Sequence, residues 1–178
     1  MPIIQQYKLT QMRIIQQYFR KNVELQPWFL FELLNAHHDD LILYQHLSLD
    51  NGFKVRSSNV CSKFVSRFPK ISALPLKSDY GTDAIHLDSR EENIMGAYQM
   101  KHYSKTSRIT YKHMCSFICH GRLLGASSLA LYCLPESRIC HMAEYLLREN
   151  QVKIIRRSMN DLIKSKKIQQ IATLNDLL

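Results

Sequence analysis

The sequence of 178 residues predicts an all-α domain, on three observations. Apolar residues recur at three- and four-residue intervals along most of the chain. Glycine is rare, at five residues, and no Asn-Gly or Asp-Gly turn separates alternating runs except at Asp50-Asn51-Gly52. With 46% hydrophobic and 22% charged residues, the chain carries apolar material for one core, and collagen-like, low-complexity and disordered classes are excluded. One domain over 1–178 is expected.

The elements follow in order. Ile4, Tyr7, Ile14, Ile15, Tyr18 and Phe19, with Gln, Lys and Arg between them, predict an amphipathic first helix, and Pro27 either ends it or opens the next. A second apolar set, Phe31, Leu34, Leu41, Tyr44 and Leu47, predicts a helix from Trp28 to Leu47, interrupted by His37-His38-Asp39-Asp40 and stopped at Asp50-Asn51-Gly52. Val60 to Phe68 reads as a shorter helix, and the Pro, Ser, Gly and Asp residues of 69–88 as an irregular loop. Ser89 followed by Glu92 has capping-box spacing and predicts a helix to about Tyr103. Ile109 to Cys119 is helical in spacing. Arg122 to Leu134 is apolar or small nearly all round, which places it as the central helix of a bundle. Ile139 to Leu147 and Val152 to Leu162 each line one face of a further helix, the second with Lys153, Arg156, Arg157 and Lys164 opposite.

Lys and Arg number 24 against 15 Asp and Glu, a formal charge of +9 that favours acidic peptides, anionic lipid or nucleic acid without choosing among them. Five cysteines, an odd number set mostly in apolar stretches, fit a reducing compartment. No run reaches the roughly 18 apolar residues of a membrane-spanning helix, since Phe117 to Leu134 contains His120 and Arg122.

Enzyme signatures are lacking: there is no Gly-rich phosphate loop, Gly-x-Ser-x-Gly elbow or His-Glu-x-x-His, and the acidic residues are scattered. A non-enzyme without cofactor is expected. Cys115, Cys119, His120 and Cys140-His141 lack zinc-ribbon spacing and read as core residues, so no metal is expected. The cationic C-terminal segment, Lys153 to Lys167, would suit a phosphate stripe, yet it lacks interleaved aromatics; a basic nucleic-acid-binding or adaptor module stays as the alternative function.

The sharpest feature is Gly121-Arg122-Leu123-Leu124-Gly125. An arginine opening a buried helix is costly unless its guanidinium meets a carboxylate in a cleft, and Gly121 allows close backbone approach. This run resembles the first homology region of the Bcl-2 family of apoptosis regulators, closest to its Gly-Arg-Leu-Ile-Gly variant. Ile14 to Lys21 and Arg157 to Ile163 are similar to the fourth and second homology regions, and Leu34, His38-Asp39 and Leu41 to the third.

The resemblance implies a Bcl-2-like bundle with a surface groove that binds the amphipathic death-motif (BH3) helix of pro-apoptotic proteins, its aspartate pairing with Arg122. Groove residues would be Gly121, Arg122, Phe64, Val65, Phe68, Met114, Phe117, Ile118, Leu123 and Ala126. It further implies anti-apoptotic action, no nucleic-acid partner, room for a homodimer, and a cytoplasmic location with peripheral contact at the mitochondrial outer membrane.

Overall fold

A computed structural model describes residues 3–43 and 81–175. The first two predicted helices form: α1 (Ile3–Lys21) and α2 (Pro27–His38), the latter opened by proline at a position where no amide bond is lost. Beyond Asp40, whose φ of 58° turns the chain, the expected helix gives way to a short strand, β1 (Ile42–Leu43). The helix expected over Val60 to Phe68 lies outside the described residues.

The all-α expectation fails from there onward. The described residues hold a mixed five-stranded sheet in the order β1-β2-β3-β5-β7. Strand β2 (Ala84–Leu87) occupies the end of the expected 69–88 loop, and β3 (Ile94–Lys101) replaces the helix expected after Ser89. The apparent capping box fails because Asp88, not Ser89, organises the link. Its carboxylate accepts from Glu92 N–H at 2.8 Å and from the Asn93 amide at 2.8 Å, which makes a hairpin turn with Glu91 at φ 57°.

After the two-residue strand β4 (Arg108–Ile109), α3 (Tyr111–Leu123) forms as the spacing predicts. It stops at Gly125, φ 86°, where Ala126 N–H bonds Gly121 O and Gly125 N–H bonds Arg122 O, a Schellman closure. The expected central helix Arg122 to Leu134 is therefore the end of α3 followed by strand β5 (Ser128–Cys133). A strand buried on both faces is as uniformly apolar as a buried helix, so the residue pattern does not separate them. Next come β6 (Arg138–Ile139), α4 (His141–Glu149), β7 (Lys153–Arg156), α5 (Met159–Lys164) and α6 (Lys166–Thr173). The helix expected over Val152 to Leu162 thus splits into a strand and a short helix.

Strands β1, β2 and β3 are antiparallel neighbours, whereas β3, β5 and β7 are parallel and joined through α3 and α4. Helices α3 and α4 pack beside each other on one face. A side chain at Gly121 would lie 2.6 Å from Leu129 Cδ2 and 3.4 Å from Ala97 Cβ, so this glycine lets α3 rest directly on the sheet. Helices α1, α2, α5 and α6 cover the other face: Gln16 donates to Ile171 O at 3.2 Å, and Lys167 donates to His38 O at 2.9 Å and Asp40 at 2.8 Å. Asp39 clamps that layer to the sheet by accepting from Arg157 at 2.9 Å and from the Tyr132 hydroxyl. Burial pushes its carboxyl pKa up, but the bonds from Arg157, His38 and Tyr132 outweigh that and hold it below the usual value. No helix among the described residues is long and apolar enough to cross a membrane.

Beside this clamp, burial and then the charge of Lys167 depress the His37 pKa from 6.5 to about 4. The unfolded chain binds this proton below about 6.5 while the folded chain resists it until about 4, so the stabilisation is complete above 6.5 and declines as pH falls to 4. Thermal unfolding should accordingly show a midpoint that drops between pH 7 and pH 4.5, and His37→Gln should flatten that slope; an unchanged slope would contradict the assignment. Asp39 and Asp40 titrate below the usual carboxylate value and act only at more acidic pH.

Candidate functional site

The described residues among those expected to line a groove lie on different sides of α3 and its C-terminal turn. Met114, Phe117, Ile118 and Ala126 are core residues beneath α3, and Gly121 is the helix–sheet contact. Leu123 is 59% exposed on the outer side of the same helix. Phe64, Val65 and Phe68 lie outside the described residues. Arg122 stands in the last turn of α3, and its guanidinium donates to Ala126 O at 3.1 Å, Ser127 O at 3.3 Å and Asn150 O at 3.0 Å. It ties the end of α3 to the turn before β7. The all-α bundle is thus replaced by a mixed sheet, and the Arg122 guanidinium is engaged by backbone carbonyls.

A different cluster emerges where β2 and β3 part. Their ladder runs in register from Ala84 opposite Tyr98 to His86 opposite Gly96. One residue earlier it breaks: Asp83 N–H bonds Tyr98 O at 2.9 Å, and Met100 N–H donates not to a β2 carbonyl but to the Asp83 carboxylate, at 2.7 Å. Asp83 is 7% exposed, so this backbone bond offsets part of the desolvation of its charge.

Gln99 sits beside this break. Side chains alternate along β3, so Ala97, Gln99 and Lys101 share the face that α3 covers. Gln99 is 1% exposed, and its Oε1 has no hydrogen-bond partner among the described residues. Its amide leans on Gly81, where a Cβ would lie 2.7 Å from Nε2, and Gly81 also adopts φ 85°, which disfavours any other residue there. Thr82 Oγ1 lies 2.7 Å from Nδ1 of the buried His120 and so fastens the start of β2 to α3.

Lys101 is half-buried at the end of β3, its Nζ 5.4 Å from the centre of the Tyr103 ring. Its charge reaches His113 on the first turn of α3: burial, then Lys101 and Lys112, hold the His113 pKa below its ordinary value. The chain beyond Lys101 borders a cleft of about 500 Å³ lined by His102, Tyr103, Ser107, Leu134, Ser158 and Asn160. This cleft lies at the carboxyl ends of β3, β5 and β7, where open α/β sheets receive ligands.

The set thus comprises a buried carboxylate, a buried amide carbonyl without a partner and an ammonium two residues further on. No group of three or more His, Cys, Asp or Glu able to hold a metal occurs among the described residues. One carboxylate and one amide oxygen nevertheless match the small protein contribution to a magnesium site completed by water and substrate phosphate. Sequence reasoning missed all three residues because it placed Asp83 in a loop and Gln99 and Lys101 in a helix. A signal was present: Gly81-Thr82-Asp83 opens one apolar run, and Gln99-x-Lys101 closes the next with two polar side chains at strand period.

A buried carbonyl without a hydrogen bond costs stability, on the order of 1–3 kcal/mol. Gln99→Met, similar in length and free of that carbonyl, should therefore raise the thermal midpoint while removing an oxygen donor from the site. A lowered midpoint would mean that Oε1 is satisfied in the folded protein. The chain matches no protein-family model, and neither a curated protein nor a solved structure is detectably similar to it.

Proposed function

We propose that this protein is a divalent-metal-dependent phosphodiesterase acting on nucleic acid, with Asp83 and Gln99 as the protein's oxygen donors and Lys101 as the phosphate-facing cation. The observation that carries the reading is the buried Gln99 Oε1, without a partner among the described residues, at the break where the buried Asp83 carboxylate holds the Met100 amide, with Lys101 two residues further along β3. The formal +9 charge is consistent with a polyanionic substrate. The proposal replaces the expectation of a non-enzyme and retains, from the alternative reading, contact with nucleic acid.

Each residue has a role set by its chemistry. Asp83, fixed by the Met100 amide, holds one carboxylate oxygen against the neighbouring strand β3 and would supply a charged oxygen donor to a cation. Gln99 adds a neutral oxygen, which limits the negative charge repelling the approaching phosphate. A hard divalent ion at these oxygens supplies neutralisation of charge on a phosphoryl oxygen. Lys101 donates hydrogen bonds to a non-bridging oxygen and stabilises the charge that builds there as water attacks phosphorus. The water oxygen bonds to phosphorus, the bond from phosphorus to the leaving sugar oxygen breaks, and a proton from the water ends on that oxygen. The products are a phosphomonoester and a hydroxyl.

Incubating the purified protein with plasmid DNA and with single-stranded DNA and RNA, in magnesium or manganese, tests this directly. Cleavage should appear with metal and stop with chelator, and Asp83→Asn and Lys101→Ala should each lower the rate at least about a hundredfold, the equivalent of about 2.7 kcal/mol of lost charge stabilisation. Folded variants that cleave as fast as wild type would assign the activity elsewhere, and a wild-type protein inert on every substrate would refute it.

A further inference from the structure

The two-stranded sheet beside this site carries an arrangement that folding alone disfavours. Strands β4 and β6 are parallel, with Arg108 directly opposite Arg138 and Ile109 opposite Ile139. Ile109 is fully buried, so the alternation turns both arginines outward, and both are exposed. Like charges directly opposite one another destabilise a strand pair. Neither guanidinium has a hydrogen-bond or ion-pair partner among the described residues. The nearest acidic residue in sequence, Glu136, is exposed and pairs with neither.

The position of the pair adds to its meaning. Arg108 lies seven residues beyond Lys101, and Arg138 directly follows Ser137, whose hydroxyl donates to Tyr103 O at 2.9 Å. The pair therefore stands at the same carboxyl edge of the main sheet as Lys101 and the cleft. Lys112 and His113 lie in the first turn of α3, just after β4, and Lys101 and Lys112 add positive charge near this edge. Two fork-shaped donors held side by side suit consecutive phosphate oxygens along a strand.

We propose that Arg108 and Arg138 form a clamp for the phosphodiester backbone of the nucleic acid that enters the Asp83–Gln99–Lys101 site. The proposal rests on the reading of that site as one for nucleic acid, but it concerns binding rather than cleavage. Phosphate contacts of this kind position the polymer without reading its sequence.

Binding is measured by fluorescence anisotropy with labelled 20-base-pair duplex DNA, single-stranded DNA and single-stranded RNA as separate arms. Chelator is present so that no cleavage occurs, and salt is varied. Wild-type affinity should fall with salt on at least one of these polymers. Arg108→Gln/Arg138→Gln should lower the slope of log affinity against log salt by about 2 on duplex, from about 0.9 per lost phosphate contact, and weaken binding about tenfold or more at moderate salt. Arg108→Lys/Arg138→Lys should keep the slope, which separates lost charge from lost folding. A glutamine double variant with wild-type slope and affinity, or a wild type that binds none of the three, overturns the clamp. Cleavage that persists with no binding defect in the glutamine variant would refute the clamp alone; salt-sensitive binding through the arginines without metal-dependent cleavage would refute the phosphodiesterase alone.

Discussion

The bond from the Met100 amide to the Asp83 carboxylate is the constraint on which the rest of the site depends. A backbone donor in a sheet ordinarily meets a backbone carbonyl on the next strand. Here a side chain takes that place, which ends the ladder at Ala84 and lets β2 and β3 diverge while the Met100 and Asp83 amides both stay bonded. The divergence seats the Gln99 amide against Gly81, and its carbonyl has no partner among the described residues. A carboxylate fixed by its own scaffold needs little rearrangement to meet a cation, the pre-organisation that a binding site requires.

The layers around the break keep it rigid. On one side Gly121 brings α3 into contact with Leu129 and Ala97, and Thr82 bonds His120 of the same helix, so the start of β2 is anchored from below. On the other side the group of Asp39, Arg157 and Tyr132 joins the end of α2 to β5 and to the chain after β7. Arg122, the residue most conspicuous in the sequence, belongs to this framework: three backbone carbonyls account for its guanidinium, and it closes the link from α3 to β7.

What the sequence made legible was the amphipathic part of the fold. Helices α1, α3 and α4 announce themselves because one face of each is polar, and α2 because proline and a run of large apolar residues start it. The strands were hidden for a physical reason. Strand β5, Ser128-Leu-Ala-Leu-Tyr-Cys133, is buried on nearly every residue, and burial on both faces erases the period-two signal that would distinguish it from a buried helix. Strand β3 was masked by the spacing of Ser89 and Glu92, which mimics a helix start although Asp88 actually makes the turn. Once β3 was read as helical, Gln99 and Lys101 fell on different faces and Asp83 into a loop, so the site could not be assembled. In the run Gly121 to Gly125, which carries the likeness to an apoptosis motif, one glycine serves helix–sheet contact and the other helix termination.

The most direct test is the position of a divalent ion. Crystals of the protein soaked in manganese and measured for anomalous scattering should show a peak about 2.1 Å from an Asp83 carboxylate oxygen and from Gln99 Oε1. A peak at other residues, or none at Asp83 at saturating manganese, would contradict the assignment of the strand break as the metal-binding centre.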